Sequence, residues 1–298
     1  MRALYCNRLY SVVSQCPDRS ESMMKPHPFE YVAPTSMHDA LEALTHTDES
    51  VAILAGGQSL VPLLNARSVR PEVLLDLGRI EALTTFTSHP DSVILGPMLT
   101  LRSLERRKDF AAAFPALSLA LARIGNVEIR NRSTVGGTVA FANPAGQFLT
   151  VVAALGGHIE LASSTSRRTV DCAEFLLEGK GTVMRGDEMV ASVHVPEARS
   201  AQGFSQVERH VSACIVAGSA TTPTVVALGG ICDRVVVVPG LDGIGDPLGS
   251  EAREHVLSTV HRFAAEVGDA SDRHKLALAV ESVRRAFVSM AAKGVEHE

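Results

Sequence analysis

Short apolar runs and stretches of helical periodicity alternate over the first part of the chain. Val51 to Leu54 and Val73 to Leu77 have the length and composition of buried strands. Ahead of them, apolar residues recur at helical spacing over positions 37–44, behind Ser36, which is a suitable helix cap. This grouping predicts a small α/β subdomain over about residues 23–78.

A second unit of mixed strands and helices is predicted over about residues 79–199. Its predicted elements are a strand from Val93 to Leu95, a helix capped by Thr100, one helix over Ala111 to Ile124, a helix started by Asn143-Pro144 and running to Leu155, and strands over His158 to Ala162 and Met189 to Val195. We expect these strands to complete a sheet that the helices cover.

From Gly203 the pattern changes to short apolar segments typical of β-strands, separated by residues typical of hairpin turns. It becomes helical from Glu251 to Lys293. The change places a domain boundary near Pro196 to Gln202. The pattern therefore predicts an α+β protein with an N-terminal domain over 23–199 and a C-terminal domain over 203–293. Residues 1–22 lack the uninterrupted apolar core of a signal peptide and are expected to be a disordered leader.

The composition narrows the class of protein. Of 298 residues, 46% are hydrophobic and 20% are charged, which gives enough apolar surface for one or two cores. The formal net charge of -5 and the lack of a clustered basic face argue against nucleic acid as a partner. The longest mainly apolar run, Phe148 to Leu155, is far below the ~20 residues that a membrane-spanning helix needs.

Cysteine and histidine usage adds to this picture. The five cysteines are scattered with no Cys-x-x-Cys pair, and the eleven histidines show no metal-ligand spacing. We therefore predict no disulfide framework, iron–sulfur cluster or metal site in this chain, and we expect it in a reducing cytoplasm.

Two double-glycine segments carry the strongest functional signal. They are Ala55-Gly56-Gly57-Gln58-Ser59-Leu60, directly after a predicted strand, and Thr134-Val135-Gly136-Gly137-Thr138. Glycine lets backbone N–H groups approach a ligand closely because it has no Cβ, and the adjacent amide and hydroxyl side chains add neutral donors. A helix starting near Leu60 would add its own free N–H groups. Together the segments predict two halves of one phosphate cradle, and we interpret the ligand as a flavin dinucleotide.

Other nucleotide and catalytic motifs are absent from the sequence. There is no Gly-x-Gly-x-x-Gly after the first strand, no P-loop and no Gly-x-Ser-x-Gly elbow. Since the polypeptide offers no reactive group of its own, the cofactor is predicted to carry the chemistry.

Four segments in this order are typical of one known family: 29–36, the first glycine segment, 129–138 with the second glycine pair, and Gly186-Asp187-Glu188-Met189-Val190 ahead of Pro196. With these segments the chain resembles, over about residues 24–290, the medium, flavin-binding subunit of molybdenum hydroxylases, the family of carbon monoxide dehydrogenase and xanthine dehydrogenase. The resemblance implies two α/β FAD-binding subdomains of the vanillyl-alcohol-oxidase or PCMH type. A C-terminal domain of a small antiparallel sheet with helices would follow them.

The resemblance also implies the residues that contact FAD. The pyrophosphate would be held by two groups, which are Ile53, Leu54, Ala55, Gly56, Gly57, Gln58, Ser59 and Leu60 in the first segment and Thr134, Val135, Gly136, Gly137 and Thr138 in the second. Val190 would touch the flavin ring. Asn143 and Gln147 stand where the family usually has two acids, the second of which contacts the adenosine ribose, so both acids are amides here.

By the same resemblance, the partners would be a large subunit with the molybdenum cofactor and a small subunit with two 2Fe-2S clusters. The three would form a heterotrimer, which could pair into a dimer of heterotrimers. Electrons would reach FAD last and pass to an external acceptor. Two alternatives stay open from the sequence: a stand-alone flavoprotein oxidoreductase that acts on a small organic substrate, and a binding or assembly module that has lost flavin.

Overall fold

The computed structural model describes residues 25–45, 50–177, 181–197, 201–208, 211–218, 223–241, 244, 247, 249–268 and 272–294. The leader predicted over residues 1–22 lies outside this set.

The first unit is a three-stranded parallel sheet with two short helices. Its elements are β1 (Glu30–Val32), α1 (Met37–Thr45), β2 (Val51–Leu54), α2 (Leu60–Asn65) and β3 (Val73–Asp76), with the strands in the order β1-β3-β2. The predicted cap of α1 is confirmed, because the Ser36 hydroxyl accepts a hydrogen bond from the Asp39 N–H at 3.1 Å. Strand β2 ends at Leu54, so the first glycine segment leaves the sheet at its carboxyl edge.

The second unit surrounds a five-stranded antiparallel sheet in the order β4-β5-β10-β6-β7. In chain order its elements are β4 (Phe86–His89), β5 (Ser92–Leu95), α3 (Leu101–Glu105), α4 (Lys108–Ala113), α5 (Pro115–Arg123), α6 (Val127–Arg132), α7 (Val135–Phe141), α8 (Gln147–Ala154), β6 (His158–Ala162), β7 (Arg167–Asp171), α9 (Cys172–Phe175), β8 (Leu176–Leu177), β9 (Gly181–Thr182) and β10 (Met189–Pro196). Strands β5, β6 and β10 and the Thr100 cap confirm the predictions for this region.

Two predicted helices of this unit are wrong in their bounds. The helix predicted over Ala111 to Ile124 is broken into α4 and α5, because Pro115 cannot donate within a helix and instead takes the first position of α5. The helix predicted to start at Asn143-Pro144 begins at Gln147, after Gly146. The Asn143 side-chain oxygen accepts from the Ala145 N–H at 3.0 Å, so this asparagine forms a turn rather than a helix cap.

The C-terminal part consists of hairpin strands followed by helices, as the pattern predicts. Its elements are β11 (Gln202–Val207), β12 (Val211–Val216), β13 (Val225–Gly229), β14 (Val236–Val237), α10 (Ser250–Val267) and α11 (Arg273–Gly294). The four strands form an antiparallel sheet in sequence order, and α11 packs across β11 and β12. Val256, Val260 and Phe287 lie in the core between sheet and helices.

The C-terminal sheet also packs against the second unit. Helix α8 lies between them, and the hydroxyls of Thr150 and Ser212 are 2.9 Å apart in the buried interface. The Gly230 N–H donates to the Pro144 carbonyl at 2.9 Å, so the C-terminal sheet fixes the turn ahead of α8. None of the helices among the described residues combines the length and apolar character needed to cross a membrane.

Candidate cofactor-binding site

The first glycine segment joins the end of β2 to the start of α2. A Cβ on Gly56 would lie 2.1 Å from the Arg132 carbonyl oxygen, so Gly56 permits a close approach between this loop and the segment that precedes α7. Gly57 has a φ of +75°, in the left-handed region that favours glycine. Gly56 therefore brings the two parts of the chain together, and Gly57 gives the loop its shape.

This loop presents unused backbone donors. Within the part of the chain that the structure describes, the N–H groups of Gly57, Gln58, Ser59 and Leu60 have no protein acceptor. The Ser59 hydroxyl makes no capping bond to α2 and is available as well. All four residues line one cavity, so the donors border open space rather than packed protein. Unpaired backbone donors at the start of a helix are the groups that bind an anion.

The second glycine pair differs from the predicted turn. Both glycines lie in the first turn of α7, and the Thr134 hydroxyl caps this helix by accepting from the Gly137 N–H at 3.1 Å. The remaining N–H groups of this turn donate within the protein: Val135 to the Leu99 carbonyl at 2.9 Å, Gly136 to the Pro97 carbonyl at 2.8 Å and Thr138 to the Thr134 carbonyl at 2.9 Å. The two segments are therefore not equivalent, because only the first of them has free amides.

The second glycine pair provides space for close packing and for the cleft, rather than hydrogen-bond donors. A Cβ on Gly136 would lie 2.6 Å from Pro97 Cβ, so this glycine is required for packing. A Cβ on Gly137 would lie 2.9 Å from the Thr134 hydroxyl oxygen and 3.6 Å from Ala55 Cβ, at the place where the two glycine segments face each other. Gly137 thus keeps the gap between the segments open.

Two cavities meet at this gap, and we call them together the cleft. We call one the polar cavity, because its lining includes the side chains of Gln58, Ser59, Thr138, Asn143 and Gln147, and the other the apolar cavity, because its side chains are apolar except for Glu188. Their volumes are about 1080 Å³ and about 830 Å³, both counted with space open to solvent. They share the lining residues Ile53, Ala55, Leu60, Gly137 and Ala140. The two cavities are therefore adjacent, and these five residues border both of them.

Most of the predicted contact residues line the cleft. The polar cavity contains Gly56, Gly57, Gln58, Ser59, Thr134, Thr138, Asn143 and Gln147 besides the shared residues. The apolar cavity contains Gly136 and Val190. Leu54 and Val135 line neither cavity: Leu54 packs beside the core under α2, and Val135 is fully buried in the main core.

Several lining residues were not predicted from the sequence. In the polar cavity they include Ile124, Ile129, Ser133 and Phe141, and in the apolar cavity Pro97, Met98 and Met184. A signal for the first group exists, because the Asn126 side chain caps α6 by accepting from the Ile129 N–H at 2.9 Å. Asparagine is a common helix cap, so Asn126 could have predicted α6, which ends shortly before the second glycine pair.

The cleft is electrically almost neutral. Among the described residues, no charged side chain lines the polar cavity, and the only one that lines the apolar cavity is Glu188. Glu188 is 2% exposed and accepts from Arg168 Nε at 2.7 Å and Arg168 Nη2 at 2.8 Å. Burial acts to raise the pKa of Glu188, but the hydrogen bonds from Arg168 and from the Arg185 N–H outweigh it, so the pKa is lowered and the carboxylate stays ionised. The site offers neutral hydrogen-bond donors and apolar surface.

A row of free amides in the polar cavity, beside an adjacent apolar cavity, defines a binding site for a ligand with an anionic middle and a flat apolar end. The residues present fit a flavin dinucleotide, because its diphosphate needs donors without a Cβ in the way and its rings need apolar walls.

Comparison with known proteins identifies the class. Residues 27–198 match the model of the FAD binding domain in molybdopterin dehydrogenase. The nicotine 6-hydroxylase medium subunit of Paenarthrobacter nicotinovorans is 29% identical over 283 residues, which are 91% of this chain and all of that protein. The 6-hydroxypseudooxynicotine dehydrogenase complex subunit alpha of the same organism is 32% identical over 203 residues, or 67% of this chain and 69% of that protein.

A solved structure from the same class of enzymes contains a chain with a similar fold. Carbon monoxide dehydrogenase from Hydrogenophaga pseudoflava, in a form that lacks the molybdenum-pyranopterin moiety of its cofactor, contains a chain that matches with a TM-score of 0.80 at 26% identity. The match covers 90% of this chain and 99% of that chain. This chain belongs to the family of FAD-binding domains of molybdopterin dehydrogenases, so it is an FAD-containing component of an oxidoreductase, as the sequence predicts.

Proposed function

We propose that this chain binds FAD in the cleft and is the electron-transfer medium subunit of a molybdenum hydroxylase. The observation that carries the proposal is the row of unpaired N–H groups from Gly57 to Leu60 in the polar cavity, of which Leu60 also lines the adjacent apolar cavity. FAD, when bound, supplies the redox chemistry that the neutral side chains of the cleft do not offer.

The chain's own residues divide the binding between them. The amides of Gly57 to Leu60 would donate to the diphosphate, with the hydroxyls of Ser59 and Thr138 beside them. Gly137 leaves room for the diphosphate to pass between the two segments. Because these donors are neutral, affinity comes from directed hydrogen bonds rather than from an arginine or lysine.

The two ends of the cleft suit the remaining parts of FAD. Asn143 and Gln147 line the polar cavity and would bond a ribose hydroxyl. The Asn143 oxygen is already bonded to the Ala145 N–H, so this side chain offers its NH₂ group as a donor. Val190 is 4% exposed in the wall of the apolar cavity and, by the family resemblance, would touch the flavin ring.

The relatives indicate the setting in which the chain acts. The names of the two relatives from Paenarthrobacter nicotinovorans describe a medium subunit and a subunit of a complex, which favours a component of an assembly over a stand-alone flavoprotein. In our proposal a large subunit holds the molybdenum cofactor and a small subunit holds two 2Fe-2S clusters. This chain would receive electrons from the small subunit and pass them to an external acceptor. We further propose a cytoplasmic heterotrimer that pairs into a dimer of heterotrimers.

The proposed domain division follows the same resemblance. Residues 23–199 would form the FAD domain, with subdomains of the vanillyl-alcohol-oxidase or PCMH type over about 23–78 and 79–199. Residues 203–293 would form the C-terminal domain. The separate parallel and antiparallel sheets of the first 200 residues support this division.

Purification of the tagged chain from its own cells tests the proposal. We expect two partner chains, together with FAD, molybdenum and iron in the isolated complex. The complex should lose FAD reduction by its organic substrate when the iron–sulfur subunit is removed. Isolation of the chain alone, with its flavin reduced directly by an organic substrate, would instead establish the stand-alone oxidoreductase.

A further inference from the structure

A short loop between β9 and β10 forms one wall of the apolar cavity. Met184, Gly186 and Glu188 from this loop line the cavity, together with Met189 and Val190 at the start of β10. Strands β9 and β10 flank this loop, and the Val183 N–H donates to the Phe175 carbonyl oxygen at 3.1 Å. Residues 184–188 lie outside both strands, and side-chain contacts give them further support.

One arginine–glutamate pair supplies that support. Arg168 on β7 forms a two-pronged contact with Glu188, with Nε 2.7 Å from Oε1 and Nη2 2.8 Å from Oε2. Arg168 Nη2 also donates to the Val183 carbonyl oxygen at 2.6 Å. This geometry requires the planar fork of a guanidinium, which a lysine does not have.

The Glu188 carboxylate also binds the backbone within the loop. Glu188 Oε2 accepts from the Arg185 N–H at 2.7 Å, and the Glu188 N–H donates to the Arg185 carbonyl at 3.1 Å. The pair therefore holds the loop at Val183, Arg185 and Glu188. Arg168 also neutralises the only charged side chain that the described residues place in the wall of the cleft.

We propose that Arg168 and Glu188 are positioning residues that fix the loop over 183–188 as the wall of the apolar cavity and thereby set how tightly the cleft holds a flat ring of its ligand. The inference rests on the proposed function for the identity of the ligand, which is FAD. Its structural part, the ordering of the loop, does not depend on FAD.

A matched control lies next to Arg168 on the same strand. Arg167 also pairs with a glutamate, through a single contact with Glu160 on the adjacent strand at 3.0 Å from Nη1 to Oε1, and this pair is more exposed than Arg168 and Glu188. Successive residues of a strand point to opposite faces of the sheet, so Arg167 lies on the other face, and neither Arg167 nor Glu160 lines the cleft. Arg167→Lys therefore repeats the chemical change of Arg168→Lys away from the cavity.

The test compares Arg168→Lys, Glu188→Gln, the double variant and Arg167→Lys in the full chain. In the FAD-free proteins, amide hydrogen exchange over residues 183–188 should rise at least about tenfold for Arg168→Lys and Glu188→Gln, with no further rise in the double variant. In the FAD-loaded proteins, the two variants should release FAD about tenfold faster and show an altered visible circular dichroism band of the flavin. Arg167→Lys should match the unchanged protein in both measurements.

Each outcome decides a separate point. Unchanged exchange over 183–188 in Arg168→Lys, or an equal rise in Arg167→Lys, would overturn the inference whether or not FAD binds. Faster exchange with unchanged FAD release and spectrum would refute the link between the loop and the ligand. If the unchanged protein binds no added FAD, the proposed function fails, and the exchange data alone then decide whether the pair orders the loop.

Discussion

The two glycine pairs look alike in the sequence but have different roles in the structure. The first pair lies in a loop that presents four unpaired N–H groups to the cleft among the described residues. The second pair lies in the first turn of α7, where every N–H from Val135 to Thr138 already has a protein acceptor. The first pair is thus suited to bind, and the second pair is suited to pack closely and leave space.

A second contrast runs within each pair. A Cβ on the first glycine, Gly56 or Gly136, would lie 2.1 or 2.6 Å from another segment of the chain, whereas a Cβ on the second, Gly57 or Gly137, would lie 3.1 or 2.9 Å from a nearby side chain. Both glycines of each pair also line the cleft. A double glycine therefore combines two requirements, close approach of chain segments and access for a ligand. Substitutions can separate these requirements.

The largest effect is expected from a carboxylate placed on the loop with free amides. Gly57→Asp should abolish FAD retention, with a loss in affinity of at least about 100-fold, because it places a negative charge on the loop whose amides would hold the diphosphate. Gly240→Asp controls for the left-handed backbone, since Gly240 has a φ of +74° against +75° for Gly57; a Cβ on Gly240 would have no atom within 4 Å, whereas one on Gly57 would lie 3.1 Å from Val61 Cγ2. The flavin absorbance of the purified protein checks this, and equal retention in both variants would refute the assigned loop.

The next effect concerns folding rather than binding. Gly56→Ala should lower the free energy of unfolding by about 3 kcal/mol, because its methyl group overlaps the Arg132 carbonyl and forces backbone to move. Gly137→Ala should cost far less stability, because its nearest neighbour is a side-chain hydroxyl and alanine favours a helix. Denaturant unfolding of the two FAD-free proteins measures the difference, and equal stability would contradict the division of roles.

The hydroxyl that caps α7 should matter for stability. Thr134→Val removes the acceptor for the Gly137 N–H and should lower the free energy of unfolding by about 1 kcal/mol. Thermal unfolding of the FAD-free protein checks this. An unchanged midpoint would mean that α7 does not depend on its cap.

The smallest effect is expected at Ser59, the counterpart of Thr134 ahead of α2. Ser59→Ala should leave unfolding unchanged, because the hydroxyl makes no capping bond. It should weaken FAD binding about fivefold if one hydrogen bond of about 1 kcal/mol is lost. Equilibrium titration with FAD gives the affinity, and a stability loss as large as that of Thr134→Val would erase the contrast between the two segments.

Local signals in the sequence predict much of this molecule. The apolar runs that form β2 and β3, and the Thr100 cap, follow from neighbouring residues alone. The errors at Pro115 and Asn143 arise where one residue type supports two local structures, since proline can start or break a helix and asparagine can cap a helix or close a turn.

The remaining features depend on distant contacts, which a pattern along the chain does not contain. The glycine segments predict a phosphate site, but the approach of Gly56 to Arg132 decides that they meet, and the acceptors Pro97 and Leu99 decide which amides stay free. The pairing of Arg168 with Glu188 across two strands likewise depends on the fold and leaves no local signal.

The most direct test is a crystal structure of the full chain, or of its complex, with FAD supplied in excess. We expect diphosphate oxygens within hydrogen-bond distance of the backbone nitrogens of Gly57 to Leu60, and a flat ring against Val190 in the apolar cavity. FAD absent from the cleft, or a diphosphate held by charged side chains elsewhere while these four amides contact none of it, would contradict the account.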